Sequence, residues 1–308
     1  MNKKNFTIIG VAGYVARKHV NAIFKKNNNL FSALDPHDNV GFLDSTFPNC
    51  KFFKDYERYE RHLHKNSKII DFLVVCSPNF LHDSHIRLAL INNINVICEK
   101  PLVINSHNIN GLKKIEKETK KKINCILQLR LHKDSKKIKI NKNKIKEIVI
   151  TYVSPRGSWY LTSWKGDKNK SGGVVTNIGI HLFDLLYYIY GKPDVTKVFF
   201  RDNKTASGYF EFGKTKVKWF LSIDKKFLSF SKKKITHLRE FKADNIKTNF
   251  SKSFHDLHTL SYDKILKNKG FGIEDVEESI KIVNKINSAK LLLFDNLEAH
   301  PFLKRMLK

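Results

Sequence analysis

Cysteine is scarce and scattered. The 308 residues hold four, Cys50, Cys76, Cys98 and Cys125, and no two stand at the close spacing of a metal-ligand pair. That excludes a disulfide framework and leaves small buried hydrophobes in a reducing compartment. Long hydrophobic runs are missing too. The longest, such as "IIDFLVVC", fall far short of the roughly 20 residues that cross a bilayer. The opening "MNKKNFTIIG" enters a strand pattern with no apolar leader core, so a cytoplasmic chain with no membrane partner is expected. No internal repeat is visible, which argues against a repeat architecture.

Acidic residues are few: 29 Asp and Glu stand against 57 Lys and Arg, a formal net charge of +28. The excess is mostly Lys, spread from end to end beside abundant Asn and Ile. It reads as compositional drift, and the dense stretch 133–146 as a solvated segment. No nucleic-acid partner is expected; a nucleic-acid binder would show salt-steep binding to duplexes. Some of the charge can still help attract an anionic substrate.

What is present is hydrophobic material enough for sizeable cores, 41% of the chain, over a length that suggests two domains. The first, 1–125, alternates strands and helices. "FTIIG" is an apolar run ending in glycine, followed by a tight turn that opens a helix. Gly10, Gly13 and Ala16 give a G-x-x-G-x-x-A spacing, one residue longer than the usual G-x-G-x-x-G. Small residues there let backbone approach a pyrophosphate at a helix N-terminus. A second run, "LFSALD", ends at Asp35, 22 positions beyond Gly13. An acid at that strand end accepts from an adenosine ribose and repels a 2′-phosphate, so NAD is favoured over NADP. "IIDFLVVCSPNFLH" breaks at Ser77, and "INVICEKP" at Glu99-Lys100-Pro101, with helical patterns over 82–92 and about 105–120. Unbroken apolar strands alternating with helices imply a parallel, doubly wound sheet. Its strand ends would gather Gly13, Asp35, Ser77, Asn79 and Lys100, where such sheets bind ligands.

The second domain, 126–308, changes character. "EIVITYVS", "DVTKVFFRD", "ASGYFEFG" and "KVKWFLSID" predict an open antiparallel sheet with one face packed and one partly wet. Helices are expected over about 252–268 and from 273. A long Gly, Ser and Trp loop, "SPRGSWYLTSWKGDKNKSGG", precedes "VVTNIGIHLFDLL". If that last run is helical from about Thr176, then Asn177, His181 and Asp184 share one face at i, i+4 and i+7. Three polar groups on an oily helix need partners. Oxidising an alcohol needs a base, and free histidine titrates near about 6.5, so His181 suits that role, with Asp184 placed to orient the imidazole. A fixed Lys100 ammonium could stabilise the alkoxide.

Taken together, "GVAGYVARKH", "CSPNFLH", "CEKP" and "GGVVTNIGIHLFD" resemble the Gfo/Idh/MocA oxidoreductase superfamily over essentially the whole chain. Within it, the long loop and "KGFGIEDVEESI" are similar to UDP-N-acetyl-glucosaminuronate 3-dehydrogenases. The resemblance implies an N-terminal Rossmann domain, a C-terminal α+β domain and NAD as cofactor. It implies oxidation at C3 of UDP-2-acetamido-2-deoxy-D-glucuronate, on the way to 2,3-diamino sugars of surface polysaccharide. A homodimer or homotetramer is implied as well. Lys100 matches the E-K-P lysine and His181 the helix histidine. Asn177 stands where many members carry Asp, and an amide can only position a hydroxyl. The implied cofactor set is Gly10, Gly13, Tyr14, Val15, Asp35, Ser77, Asn79, His82, Glu99, Lys100 and Gln128. Arg130, His132, Arg156, Trp159 and Lys165 join Asn177 and His181 near the sugar, its carboxylate or its diphosphate. No metal is implied. The alternative is an NAD-dependent dehydrogenase of a free sugar or polyol such as inositol, which needs no diphosphate site.

Overall fold

The computed structural model describes residues 2–231, 235–244, 246–250 and 256–307. The chain divides into two compact units, Met1–Gln128 with His255–Glu277, and Leu129–Phe254 with Glu278–Lys308. The returning segment 255–277 is what a single cut after residue 125 does not describe.

The first unit carries six strands: β1 (Asn5–Ile9), β2 (Asn29–Leu34), β3 (Lys51–Phe53), β4 (Phe72–Val75), β5 (Asn95–Cys98) and β6 (Ile123–Cys125). All pair in parallel, in the order β3-β2-β1-β4-β5-β6. Helices α1 (Ala16–Lys25), α2 (Tyr56–Asn66), α3 (His82–Ile91) and α4 (His107–Thr119) connect them. Their continuous apolar strands are buried on both faces, as a helix-covered parallel sheet requires. The short β3 and β6 and the polar α2 carry too little apolar pattern to be expected from sequence. Helix Leu257–Leu266 packs Tyr262 and Ile265 into the same core as Phe6, Ala16, Val20 and Ile23. The start of the helix expected over about 252–268 lies outside the described residues.

The second unit is built on a mixed sheet of β7 (Glu147–Val153), β8 (Val195–Arg201), β9 (Thr205–Phe212), β10 (Thr215–Ser222), β11 (Leu238–Ala243) and β12 (Ile246–Asn249). The order is β12-β11-β7-β10-β9-β8. Four of the pairings are antiparallel, but β7 and β10 run parallel along their whole length. The long connection between them, which includes helix Ile180–Tyr190, makes that possible. One face is packed throughout and the other is partly wet, as the strand patterns predict. Phe183 of that helix meets Trp219 and Phe210 edge-on on one side. On the other, Phe220, Tyr209 and Phe199 pack with Phe227, Ala299 and Leu303. Towards the other end of that second face Lys216 is exposed and Lys218 pairs with the half-exposed Glu147, while the buried polar groups are satisfied internally: Thr205 and Ser222 hydroxyls pair, and Ser207 Oγ donates to the Trp219 carbonyl.

Candidate active site

Because the six strands of the first sheet are parallel, their carboxyl ends share one edge, and the loops leaving them carry the expected cofactor residues. β1 runs into Gly10, whose φ of +84° a side chain would oppose. A Cβ there would also lie 2.6 Å from the Cys76 carbonyl carbon and the Ser77 nitrogen. Only glycine lets β1 and β4 exit side by side at the point where strand order reverses, the position at which such sheets take dinucleotides. The turn then closes through Gly13 N–H to Gly10 O (3.1 Å) and Ala16 N–H to Gly13 O (3.0 Å). Val15 is partly buried against the core, and Tyr14 stays 85% exposed.

Asp35 follows β2. Its Oδ2 accepts from Ala12 N–H of the glycine turn (3.0 Å) and its Oδ1 from His37 N–H (3.0 Å). It therefore caps its own turn and ties the β1 and β2 loops together, while remaining beside them as a carboxylate. Replacement by Ser keeps a small polar group and removes the charge. Asp35→Ser is expected to raise the NADP/NAD ratio of kcat/KM by about tenfold or more, from the lost repulsion of a 2′-phosphate; an unchanged ratio would refute the ribose assignment.

After β4, Ser77 Oγ hydrogen-bonds His85 Nδ1 (2.9 Å), and Asn79 is buried. Burial brings the His85 pKa down to about 4. His82, expected at the cofactor, is buried instead between two carbonyls, Pro101 O (2.7 Å) and Ser77 O (2.9 Å). It staples the β4 exit to the loop after β5. Burial lowers its pKa against the opposing pull of those carbonyls.

β5 delivers Glu99 and Lys100. Lys100 is partly buried and precedes a cis proline. Glu99, 5% exposed, is enclosed by residues the sequence reading passed over. Its Oε1 accepts from His19 Nε2 and His258 Nε2, each at 3.0 Å. Burial pushes the carboxyl pKa up, but the two histidine hydrogen bonds override it and hold the group well below its ordinary range. A signal for both histidines was present. His19 falls with Ala16, Val20 and Ile23 on one stripe of α1, and His258 with Ser261, Tyr262 and Ile265. The three ligand-type atoms lie within 4.8 Å of one another, a donor set that could hold a small cation. Near Cys125, where β6 ends, Gln128 is buried, with Oε1 lacking a protein partner and Nε2 3.3 Å from His258 Nε2.

In the second unit the expected polar stripe is divided. A π-helical turn, Val175–Gly179, precedes the α-helix. The wider turn breaks the i, i+4, i+7 register. Gly179 closes it against the sheet, since a Cβ there would meet Phe183 at 2.6 Å and Leu221 at 2.7 Å. Asn177 and His181 are half-buried. Asn177 Nδ2 donates to Tyr160 Oη at 2.6 Å. Asp184, expected to orient the imidazole, is buried and committed elsewhere. It accepts from Arg130 Nε (3.0 Å), Arg130 Nη2 (2.7 Å) and Ser279 Oγ (2.7 Å).

Arg130, expected at the sugar, is thus one half of an internal ion pair, 3% exposed, with Tyr188 against its guanidinium. His132 is likewise buried; its Nδ1 accepts from Asp134 N–H and caps helix Lys133–Ile140, and its ring meets Phe250 edge-on. The long loop is more ordered than its composition implied, with short helices Ser158–Thr162 and Lys168–Ser171. Arg156 and Trp159 are exposed on it. Lys165 lies over Trp164 (4.5 Å) and Trp159 (5.6 Å), its pKa lowered by burial and then by the Arg156 charge. A lysine whose charge is disfavoured by burial and by a neighbouring guanidinium favours an anion beside it.

Residues 4–126 match the model described as oxidoreductase family (GFO_IDH_MocA), NAD-binding Rossmann fold, and residues 137–224 that family's C-terminal alpha/beta domain. The chain is similar to the WlbA (WbpB) dehydrogenase from Thermus thermophilus, at 37% identity over 97% of this chain and 99% of that one, with a TM-score of 0.92. That enzyme's structures are complexes with NAD and alpha-ketoglutarate and with NAD and UDP-GlcNAcA. Glucose-6-phosphate 3-dehydrogenase from Bacillus subtilis is 26% identical over 208 residues, 63% of this chain and 56% of the relative. D-glucoside 3-dehydrogenase from Escherichia coli is 28% identical over 137 residues, 42% of this chain and 38% of the relative. The matches thus span about half or less of these curated relatives. Among the described residues, no helix is long and apolar enough to cross a membrane.

Proposed function

The chain belongs to the Gfo/Idh/MocA oxidoreductase family, and on that premise we propose that it uses NAD to oxidise the C3 hydroxyl of UDP-2-acetamido-2-deoxy-D-glucuronate to the 3-keto sugar. The observation that carries this reading is the near full-length likeness to the Thermus thermophilus dehydrogenase whose complex holds NAD and UDP-GlcNAcA. The reading carries with it a step ahead of transamination to 2,3-diamino sugars of surface polysaccharide, in a cytoplasmic homodimer or homotetramer.

The first unit fits NAD: Gly10 and Gly13 leave the backbone bare for a pyrophosphate, and Asp35 stands beside them for a ribose. When bound, NAD supplies the hydride acceptor. The protein's part is proton handling and field. His181 takes the hydroxyl proton as general base. The Lys100 ammonium stabilises the developing alkoxide. Asn177, anchored to Tyr160, positions the hydroxyl and titrates nothing. Arg156 and Lys165, with Trp159 beside them, receive the uronate carboxylate or the diphosphate.

A panel of UDP-sugars, glucose 6-phosphate, inositol and unlinked sugars, followed by NADH absorbance, tests the reading. The expected result is turnover of the UDP-linked uronate at least about 10²-fold above the rest in kcat/KM, because binding energy from the remote diphosphate serves the reacting ring. Equal turnover of a free sugar refutes it. The alpha-ketoglutarate held by the Thermus relative makes a 2-oxoacid the acceptor to add when product NADH has to be reoxidised.

A further inference from the structure

The buried cluster behind Lys100 is not used by the reaction just described. It involves four elements of the first unit: His19 on α1, Glu99 at the end of β5, His258 and Tyr262 on helix Leu257–Leu266, and Gln128 after β6. His19, Glu99, His258 and Tyr262 are each at most 5% exposed. The hydrogen bonds run in one direction. Burial raises the Tyr262 pKa well above its ordinary value, so the phenol keeps its proton and donates to His19 Nδ1 at 2.9 Å. That fixes the His19 tautomer with its proton on Nε2, aimed at Glu99 Oε1. His258 donates to the same oxygen. The other carboxylate oxygen accepts the backbone N–H of Lys100 at 3.3 Å.

Each neighbour of Lys100 is therefore held. On one side Glu99 is fixed by two imidazoles and by its own N–H on Val75 O (3.0 Å). On the other, the Pro101 carbonyl is fixed by His82. We infer that His19 and His258 are positioning residues, which act through the Glu99 carboxylate to set the backbone that carries the Lys100 ammonium. The inference deepens the preceding reading of Lys100 and rests on it. Two imidazoles at hydrogen-bond distance from a single oxygen suit proton-mediated contact, and the burial-lowered pKa of His19 keeps its ring neutral. Further groups that act on the cluster are Lys18 and the thiols Cys76 and Cys98, the latter two held protonated by burial.

Removing one imidazole donor loosens the carboxylate that anchors the Lys100 backbone. In His258→Phe, kcat at neutral pH should fall by about 10²-fold from displacement of Lys100, with KM for the sugar and NAD affinity within about twofold of wild type. His258→Gln, which restores a donor, should recover most of the rate. Glu99→Gln, which keeps the shape and removes the charge, should lower kcat.

Unchanged kcat in His258→Phe, or equal loss in Phe and Gln variants, overturns the inference. So does an equimolar divalent metal that co-purifies with wild type, is lost in both variants and alone restores the rate. If His258→Phe does not fold, the Gln variants at 258 and 99 decide it by the same split between kcat and NAD affinity. Should wild type oxidise no sugar on the panel, the functional reading fails, and hydrogen exchange of the Lys100 amide decides the positioning claim. Protection lost in the Phe variant and restored in Gln supports it; equal protection in all three overturns it.

Discussion

Lys100→Ala is expected to lower kcat by about 10²- to 10³-fold, the cost of removing one preorganised charge from a developing oxyanion. His181→Ala should lower it by roughly 10²- to 10⁴-fold, the span of general-base catalysis. Both should leave the dissociation constant for NAD within about twofold, because the glycine turn, Asp35 and Gln128 are untouched. Steady-state kinetics on the UDP-linked uronate, beside a fluorescence titration of NADH, make the measurement. Removing both groups should cost less than the product of the single losses, since residues acting on one proton transfer work as a unit. Either variant retaining wild-type turnover would mean that its group has no part in the reaction.

The second large effect lies away from the reacting carbon. Arg130 and Asp184 have side chains 2% and 3% exposed and 2.7 Å apart at their nearest atoms. Arg130→Ala leaves a buried carboxylate with only Ser279 Oγ among its described side-chain donors. Breaking a buried pair from one side costs about 3–5 kcal/mol, and denaturant unfolding of the second unit should register a loss of that size. Arg130→Leu with Asp184→Leu should cost less, because no charge is stranded. A direct substrate contact would behave differently, raising KM and leaving unfolding unchanged.

That contrast shows where sequence reading succeeds. Parallel strands declare themselves through unbroken apolar runs, and the residues that follow each run must share an edge. Gly13, Asp35, Ser77, Asn79 and Lys100 therefore lie in the loops that leave the strand ends. Arg130 was assigned to the sugar because a lone arginine in "QLRLH" carries no mark of its partner 54 positions away. His82 has the same difficulty, its partners being backbone carbonyls that no residue type announces. Asp184 shares a face with Asn177 and His181 only in a straight α-helix, and a π-turn such as Val175–Gly179 has no compositional signature strong enough to override that pattern. His19 and His258 were the recoverable loss. Each interrupts an apolar helical stripe, the pattern that drew attention to His181, but neither adjoins a glycine or proline break. The parallel β7–β10 pair was hidden because strand direction depends on the connection, and an alternating strand looks the same in either sense.

One consequence concerns the order in which the chain is made. Residues 1–128 leave the ribosome with their sheet complete in sequence, but Cys125 N–H meets the Phe271 carbonyl, at 2.8 Å in the finished unit, only once that residue emerges. Until then Lys25 and Lys26 lack Asp256 and Asp263, and the slot beside Phe6 that Tyr262 fills stands open. A nascent nucleotide-binding half thus remains unfinished through some 130 further codons, and Glu99 gains its second imidazole only with His258. Competence to hold Lys100 in place is coupled in time to synthesis of the returning segment, so a polypeptide stalled or released before it has its glycine turn but not the buttress behind its lysine.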